Sequence, residues 1–249
     1  MRCHRIAPLL VCLLAAGTAR AQDNTDAGIK AILARAVKAL GGEETLAKYH
    51  GVSAKGKGVF RLGGATLPFD GEAFVQESDR FRQDLVLGDN QANPITLVLT
   101  ATKGWIKAGK TMPLPEQLES LRADVYALSL SQRPHALRDK AFRLSLIGET
   151  QVAGRPAVGV RAEQKGWPAV NLFYDKESGL PVKCEVRVKD ATTAQEVSDE
   201  FFLSEYRAFN GRGYFTRVVG KRDGNDYLER ELTDVRWHEA LPDNLFEMP

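Results

Sequence analysis

From Gly51 to Trp237 the chain alternates apolar and polar residues with a period of two, and it abandons that period once, between residues 113 and 140. A two-residue period places successive side chains on opposite faces of an extended strand, so most of this chain must become half-buried antiparallel sheet. Val52 to Leu62, Ala65 to Gln76, Arg80 to Leu87, Ile95 to Thr100 and Gly104 to Lys107 read as consecutive strands. In the third, Phe81, Gln83, Leu85 and Leu87 take one side, and Arg82 and Asp84 the other. The alternation resumes at Phe142, Leu144 and Leu146 and turns at Gly154-Arg155 into Pro156 to Glu163. Val170 to Tyr174 and Val182 to Val188 flank a hairpin loop, Asp175-Lys176-Glu177-Ser178-Gly179, in which Gly179 supplies a positive φ. Glu196 to Tyr206, Tyr214 to Lys221 and Tyr227 to Trp237 complete the set, with turns at Asn210-Gly211 and Asp223-Gly224-Asn225. Such a meander excludes an α/β alternation.

Two stretches carry helical spacing instead. Asp26 is placed to cap a helix whose apolar face is Ile29, Leu33, Ala36, Val37 and Leu40, and Gly41-Gly42 ends it. Glu43 to Tyr49 suits one further short turn. In the interruption, Pro115 fits a first helical position, and Leu118, Leu121, Val125 and Leu128 follow on one face. Pro134 breaks that helix before a turn near His135 to Lys140. The expected fold is mainly β (α+β): a strongly curved antiparallel sheet of about eleven strands wrapped toward a barrel, with an N-terminal helix and a mid-chain helix on its concave side. The periodicity of the inserted helix fits an ordinary core helix equally well.

The first 21 residues read as a cleavable export signal. Arg2, His4 and Arg5 make a basic start, Ile6 to Ala16 is apolar apart from Pro8, and Ala19-Arg20-Ala21 has the small-x-small form that precedes cleavage. The apolar run is too short for a permanent span, and no later stretch approaches a spanning length. The mature chain, residues 22–249, is therefore expected to be one domain working outside the cytoplasm; it is taken as a monomer. Losing Arg2, Arg5 and Arg20 leaves 31 Lys and Arg, from 34, against 32 Asp and Glu, which argues against nucleic acid as a partner. Cys3 and Cys12 leave with the signal, so Cys184 remains alone and no intrachain disulfide can form. Cys12 follows Leu10-Val11 rather than a small residue, which speaks against a lipid anchor.

Motifs that carry catalysis are missing. His50, His135 and His238 lack metal-ligand spacing, and no nucleophile elbow or phosphate-binding loop occurs. Cys184 sits on the apolar side of a strand, where a thiol behaves as a small hydrophobe. Glu229 and Glu231 share a strand face, and alternating charge on a solvated strand accounts for them. No enzyme activity, cofactor or metal is expected.

Three features occur in order: a helix ending in Leu40-Gly41-Gly42, a hairpin running Phe173-Tyr174-Asp175-Lys176-Glu177-Ser178-Gly179-Leu180-Pro181-Val182-Lys183, and a close Leu241-Pro242-Asp243-Asn244-Leu245-Phe246-Glu247-Met248-Pro249. In this layout the chain resembles the LolA/LolB-like superfamily, in particular exported outer-membrane lipoprotein-sorting proteins. The resemblance implies an unclosed barrel with a helical lid that holds acyl chains in an apolar periplasmic cavity. It implies a lipid or lipidated protein as cargo, with an outer-membrane acceptor or an inner-membrane releasing complex as further partners. The lipoprotein carrier proper has Lys-Arg-Pro-x-x-Phe on its third strand, and that Arg helps latch the lid. Here the stretch is Gln76-Glu77-Ser78-Asp79-Arg80-Phe81, so Phe81 matches but Glu77 stands in the arginine's place. The implied reading is thus a relative with the same cavity and its own lipid-like cargo; an envelope sensor or interaction module on the same fold is the alternative. Burying an acyl chain gains ~0.8 kcal/mol per methylene, so an apolar wall suffices without catalytic groups. Candidate wall positions are Phe81, Leu85, Leu87, Ile95, Leu97, Leu99, Leu172 and Tyr174, and candidate lid positions are Leu118, Leu121, Val125 and Leu128. Each fits ordinary core as well. Trp105 and Trp167 are rim positions on which nothing rests.

Overall fold

The computed structural model describes residues 15–88, 93–115, 118, 120–190, 193 and 195–249, with the backbone alone for 15–25 and Leu62. Helix α1 (Ala15–Ala39) and short helix α2 (Glu43–Lys48) lead into β1 (Gly51–Leu62), β2 (Ala65–Gln76), β3 (Arg80–Leu87), β4 (Ile95–Leu99), β5 (Gly104–Ala108) and β6 (Lys110–Pro113). Helix α3 (Ser120–Ser131) and a 3₁₀ turn at Ala136–Arg138 interrupt the strands. The meander resumes as β7 (Phe142–Val152), β8 (Arg155–Gln164), β9 (Val170–Asp175), β10 (Pro181–Lys189) and β11 (Glu196–Ser204). A small ribbon of β12 (Arg207–Phe209) and β13 (Arg212–Tyr214) precedes β14 (Arg217–Arg222) and β15 (Asn225–His238). Thirteen strands form one unclosed antiparallel sheet in the order β6-β5-β4-β3-β2-β1-β15-β14-β11-β10-β9-β8-β7. The mainly β, half-open expectation holds; the sheet gains β6, which the sequence pattern does not mark as a strand, while β12 and β13 pair only with each other, outside it.

Register explains how one alternating pattern lines one concave face. Val52 opposes Val75 and Trp237, and Ala54 opposes Ala73 and Val235. Between Lys55 and Gly56 the pairing jumps from Asp234 to Leu232, leaving Thr233 as an extra residue in β15. That bulge shifts the inward phase from Val235 and Trp237 to Leu228, Arg230 and Leu232, and it bends the strand. Gly58 permits a close approach in the same row: a Cβ there would stand 2.7 Å from the Phe69 ring. The loss of side chains along this part of β1 lets the sheet coil tightly.

The hairpin at residues 175–179 shows why its sequence has that form. The Asp175 carboxylate accepts the Ser178 amide at 2.7 Å and the Glu177 amide at 3.1 Å, closing an Asx-type turn. Gly179 takes φ 77, and Arg35 of α1 donates to the carbonyl of Lys176, tying α1 to this hairpin. The closing segment is a strap on the convex face. Leu241 and Phe246 are buried with Val98, alongside Phe74 and Trp105. Trp105 therefore lies on the far side of the sheet from any concave cavity.

Three features depart from the expected helices. Asp26 is not a cap: α1 already runs from Ala15, because the stretch before Asp26 holds no proline and is rich in alanine. The expected cleavage point after Ala21 falls inside this helix, and most of the apolar run before it lies outside the described residues. Pro113 ends β6, and α3 begins at Ser120 rather than at Pro115. Finally, α3 is buried on more than one face. Leu121 and Val125 pack with Phe81, Leu97 and Leu99, while Ala123, Tyr126, Ala127 and Leu130 pack with Val160, Leu172 and Cys184. Among the described residues no helix is long and apolar enough to cross a membrane.

Candidate functional site

Between α3 and the concave face lies an apolar cavity of about 120 Å³. Its sheet wall is Val52 and Ala54 of β1, Ala73 and Val75 of β2, Phe81 of β3, Val218 of β14, and Leu228, Leu232 and Trp237 of β15. Its roof is Val125, Leu128 and Ser129 of α3, with Gln132 and Arg133 just beyond. The wall exists because small residues occupy the inward phase of two neighbouring strands. Ala54 and Ala73 face each other where larger side chains would close the gap to α3. Sites for drug-sized ligands span about 300–1,000 Å³, so the space as it stands takes a few methylenes and an acyl chain requires α3 to move.

One end of the cavity is aromatic and cationic. Tyr214 stacks on Phe215 with ring centroids 4.3 Å apart, and Trp237 meets Tyr214 edge-on at 5.3 Å. The Arg212 guanidinium lies 3.7 Å above the centre of the Trp237 ring, with only 2% of the residue exposed. It donates to the carbonyls of Tyr49 at 2.9 Å and Gln132 at 3.1 Å. Burial lowers its pKa to about 10. Arg230, inward on β15, donates to the Ala54 carbonyl at 3.3 Å, and burial lowers its pKa too.

Side chains at both ends tie α3 to the sheet. Arg122 near its start donates to the carbonyls of Thr100 and Lys103. Just past its end, Arg133 pairs with the Glu77 carboxylate, which also meets the His50 ring at 2.7 Å. Glu77 sits at the β2–β3 turn with φ 56. The position where the resemblance would place a latch arginine thus holds the acid of an ion pair, and the base comes from the lid side. In its middle, α3 presents Asp124 to a buried polar patch where Arg222 grips Asp199 with two bonds of 2.7 Å. Burial, and then the nearby Asp199 carboxylate, push the Asp124 carboxyl well above its usual range.

The residues singled out by sequence fall into three groups. Phe81, Val125 and Leu128 border the cavity. Leu97 and Leu99 are buried beside it in a packed cluster with Leu118 and Leu121, while Leu85, Leu87 and Ile95 are half-buried further along β3 and β4. Leu172 and Tyr174 do not border it; at 0% and 1% exposure they fill the core under α3. Trp167 stacks on Tyr126 of α3 at 4.3 Å. Cys184 is fully buried, and burial pushes its thiol pKa up. Glu229 lies on the outer face, taken by Arg61 and Arg217. Sequence reasoning missed Ala54, Ala73, Arg212, Tyr214, Arg230 and Trp237. The run Ala54-Lys55-Gly56-Lys57-Gly58, small residues alternating with lysine, is the signal that marks an inward phase too slight to fill its space.

No protein-family profile and no curated protein matches the chain. Solved structures do. A LolA superfamily protein from Nitrosomonas europaea superposes with a TM-score of 0.57 at 10% identity, over 88% of this chain and 97% of that one. A DUF1329 family protein from Desulfovibrio piger gives 0.55 at 13% identity over 88% and 97%. A domain assigned to outer membrane lipoprotein sorting, from Vibrio parahaemolyticus, gives 0.51 at 11% identity over 79% and 88%. At such identities the likeness concerns architecture: the chain has the open half-barrel fold of the LolA superfamily.

Proposed function

We propose that this chain is exported by a cleaved signal over residues 1–21 and that residues 22–249 act in the periplasm as one non-catalytic domain carrying an acyl-bearing molecule. The apolar tail of a lipid or lipidated protein lies between α3 and the concave sheet, and the cargo passes toward the outer membrane. The observation that carries this reading is the apolar space walled by Ala54, Ala73, Val75 and Phe81 and roofed by Val125 and Leu128. The shared architecture with a domain assigned to lipoprotein sorting supports it. So does the way α3 is held, since Arg122 and Arg133 clasp it at its two ends, on either side of that space. Opening exposes the roof and wall, and the gain of ~0.8 kcal/mol per buried methylene returns that energy once a tail enters.

The test is mass spectrometry of the chain purified from a bacterial envelope without denaturant. An acyl-bearing adduct released on unfolding is the expected result, together with saturable uptake of the neutral probe N-phenyl-1-naphthylamine. A bare chain that takes up no probe overturns the proposal.

A further inference from the structure

The apolar cavity holds more positive charge than its own carboxylates neutralise. Three arginines line it: Arg133, Arg212 and Arg230. Arg133 is matched by Glu77, the one carboxylate in the lining among the described residues, which also meets the His50 ring. Arg212, which also lies over the Trp237 ring, and Arg230 hydrogen-bond to backbone carbonyls alone, with no carboxylate within ion-pair distance among the described residues. Arg222, outside the lining, shows the ordinary arrangement, with Asp199 bonded to both sides of its guanidinium. Buried guanidiniums without a counter-charge are costly, and a fold seldom keeps two beside one cavity without a use for them.

Hydrogen-bond bookkeeping points the same way. Arg212 Nε, Arg230 Nε and Trp237 Nε1 are buried donors with no acceptor, and all three residues line the cavity. Buried donors are normally satisfied, so three orphan donors around one space, against the single orphan acceptor Gln132 Oε1, call for a guest richer in acceptors than in donors. The surroundings are electropositive: burial, then Arg133 and Arg212, hold nearby His135 down to about 4. An apolar wall beside orphan cationic donors fits an amphiphile, with its tail on Ala54, Ala73 and Val125 and its head at the Arg212–Trp237–Arg230 end.

We propose that the molecule carried in this cavity has an anionic oxygen head group, a carboxylate or a phosphate, and that Arg212 and Arg230 are its counter-charges. This rests on the carrier reading above and adds the chemistry of the head. Guanidinium bonds to such oxygens are charge-assisted and stronger than neutral ones, so head-group charge sets selectivity at equal tail length.

Calorimetric titration of the full chain with decanoate, decyl phosphate, decanol and inorganic phosphate tests it. Decanoate or decyl phosphate is expected to bind about tenfold or more tighter than decanol, and inorganic phosphate alone to bind far more weakly than decyl phosphate. In Arg230→Gln the ratio of decanoate to decanol affinity falls toward one, while Arg230→Lys keeps most of it. If Arg230→Gln does not fold, the ratio in the unaltered chain still decides. Decanol binding as tightly as both anions overturns the head-group assignment and leaves the carrier reading standing. No binding by any decyl compound overturns both. Inorganic phosphate binding as tightly as decyl phosphate overturns the amphiphile and makes the site one for a free anion.

Discussion

The two halves of the concave face have the same alternation and opposite outcomes. On β8–β11 the inward row runs Val160, Leu172, Cys184 and Phe201, in register, with exposures of 0–1%. Tyr126, Ala127 and Leu130 of α3 press onto this half, and Ile29, Leu33 and Ala36 of α1 join them. On β1 and β2 the inward row runs Ala54 against Ala73 and Gly56 against Gly71, and the space under Val125 and Leu128 stays hollow. Side-chain volume at inward positions, rather than hydrophobicity, separates core from cavity. One half anchors α3, and the other gives it something to cover.

Phe201→Ala should break the anchored half outright, with a loss of about 3–5 kcal/mol in urea unfolding, as expected for truncating a fully buried aromatic residue. The same enlargement made in both halves sharpens the contrast. Ala162→Leu, in the packed half, should cost about 1–3 kcal/mol through overpacking. Ala73→Leu should change stability by less than about 1 kcal/mol, because it fills existing space, yet abolish N-phenyl-1-naphthylamine uptake. Equal losses at the two alanines would erase the distinction.

Asp124 reads the anchored half by pH. Its carboxyl is held above its ordinary value of 3.8 by burial and Asp199, so the folded chain retains a proton that the unfolded chain has lost. Stability from this group is full below that value, falls as pH rises through the window up to the raised folded value, and then stays flat. His135 acts oppositely: with its pKa lowered from 6.5 to about 4, it adds stability as pH rises between those values. Asp124→Asn should therefore remove only the falling component and raise stability near neutral pH by about 1 kcal/mol, the scale of one relieved buried polar group. Unfolding midpoints of both chains across pH check this. The smallest effect belongs to the exposed end of the clasp. Glu77→Gln should lower stability by at most about 1 kcal/mol while speeding probe entry in stopped-flow fluorescence.

Strand positions were legible from sequence because a half-buried strand must alternate, and a curled sheet with a helix on its concave side followed from meander, helix and resumed meander; that the barrel stays open was implied by the resemblance. The cavity was less legible. Periodicity shows which way Leu172 and Phe81 face; it does not show that Leu172 meets α3 directly while Phe81 borders a gap. Large apolar residues were natural candidates for a greasy wall, yet large residues fill space and small ones leave it, as at Ala54 and Ala73. Arg230 was hidden for another reason: the Thr233 bulge reverses the inward phase of β15, so the strand read straight back from Trp237 places Arg230 outward. Arg212 and Tyr214 lie on a short ribbon whose Asn210-Gly211 turn gives no hint that the chain then folds under α3.

The central claim is that a hydrocarbon chain enters between α3 and the sheet. Fluorescence of Trp237, with Trp105 and Trp167 replaced by phenylalanine, can follow titration with 12-bromododecanol, whose bromine quenches indole on close approach. Saturable quenching at one molecule per chain, lost in Ala73→Leu, is the expected result. Unquenched Trp237 at saturating alcohol, in both the otherwise unaltered chain and Glu77→Gln, would contradict the account.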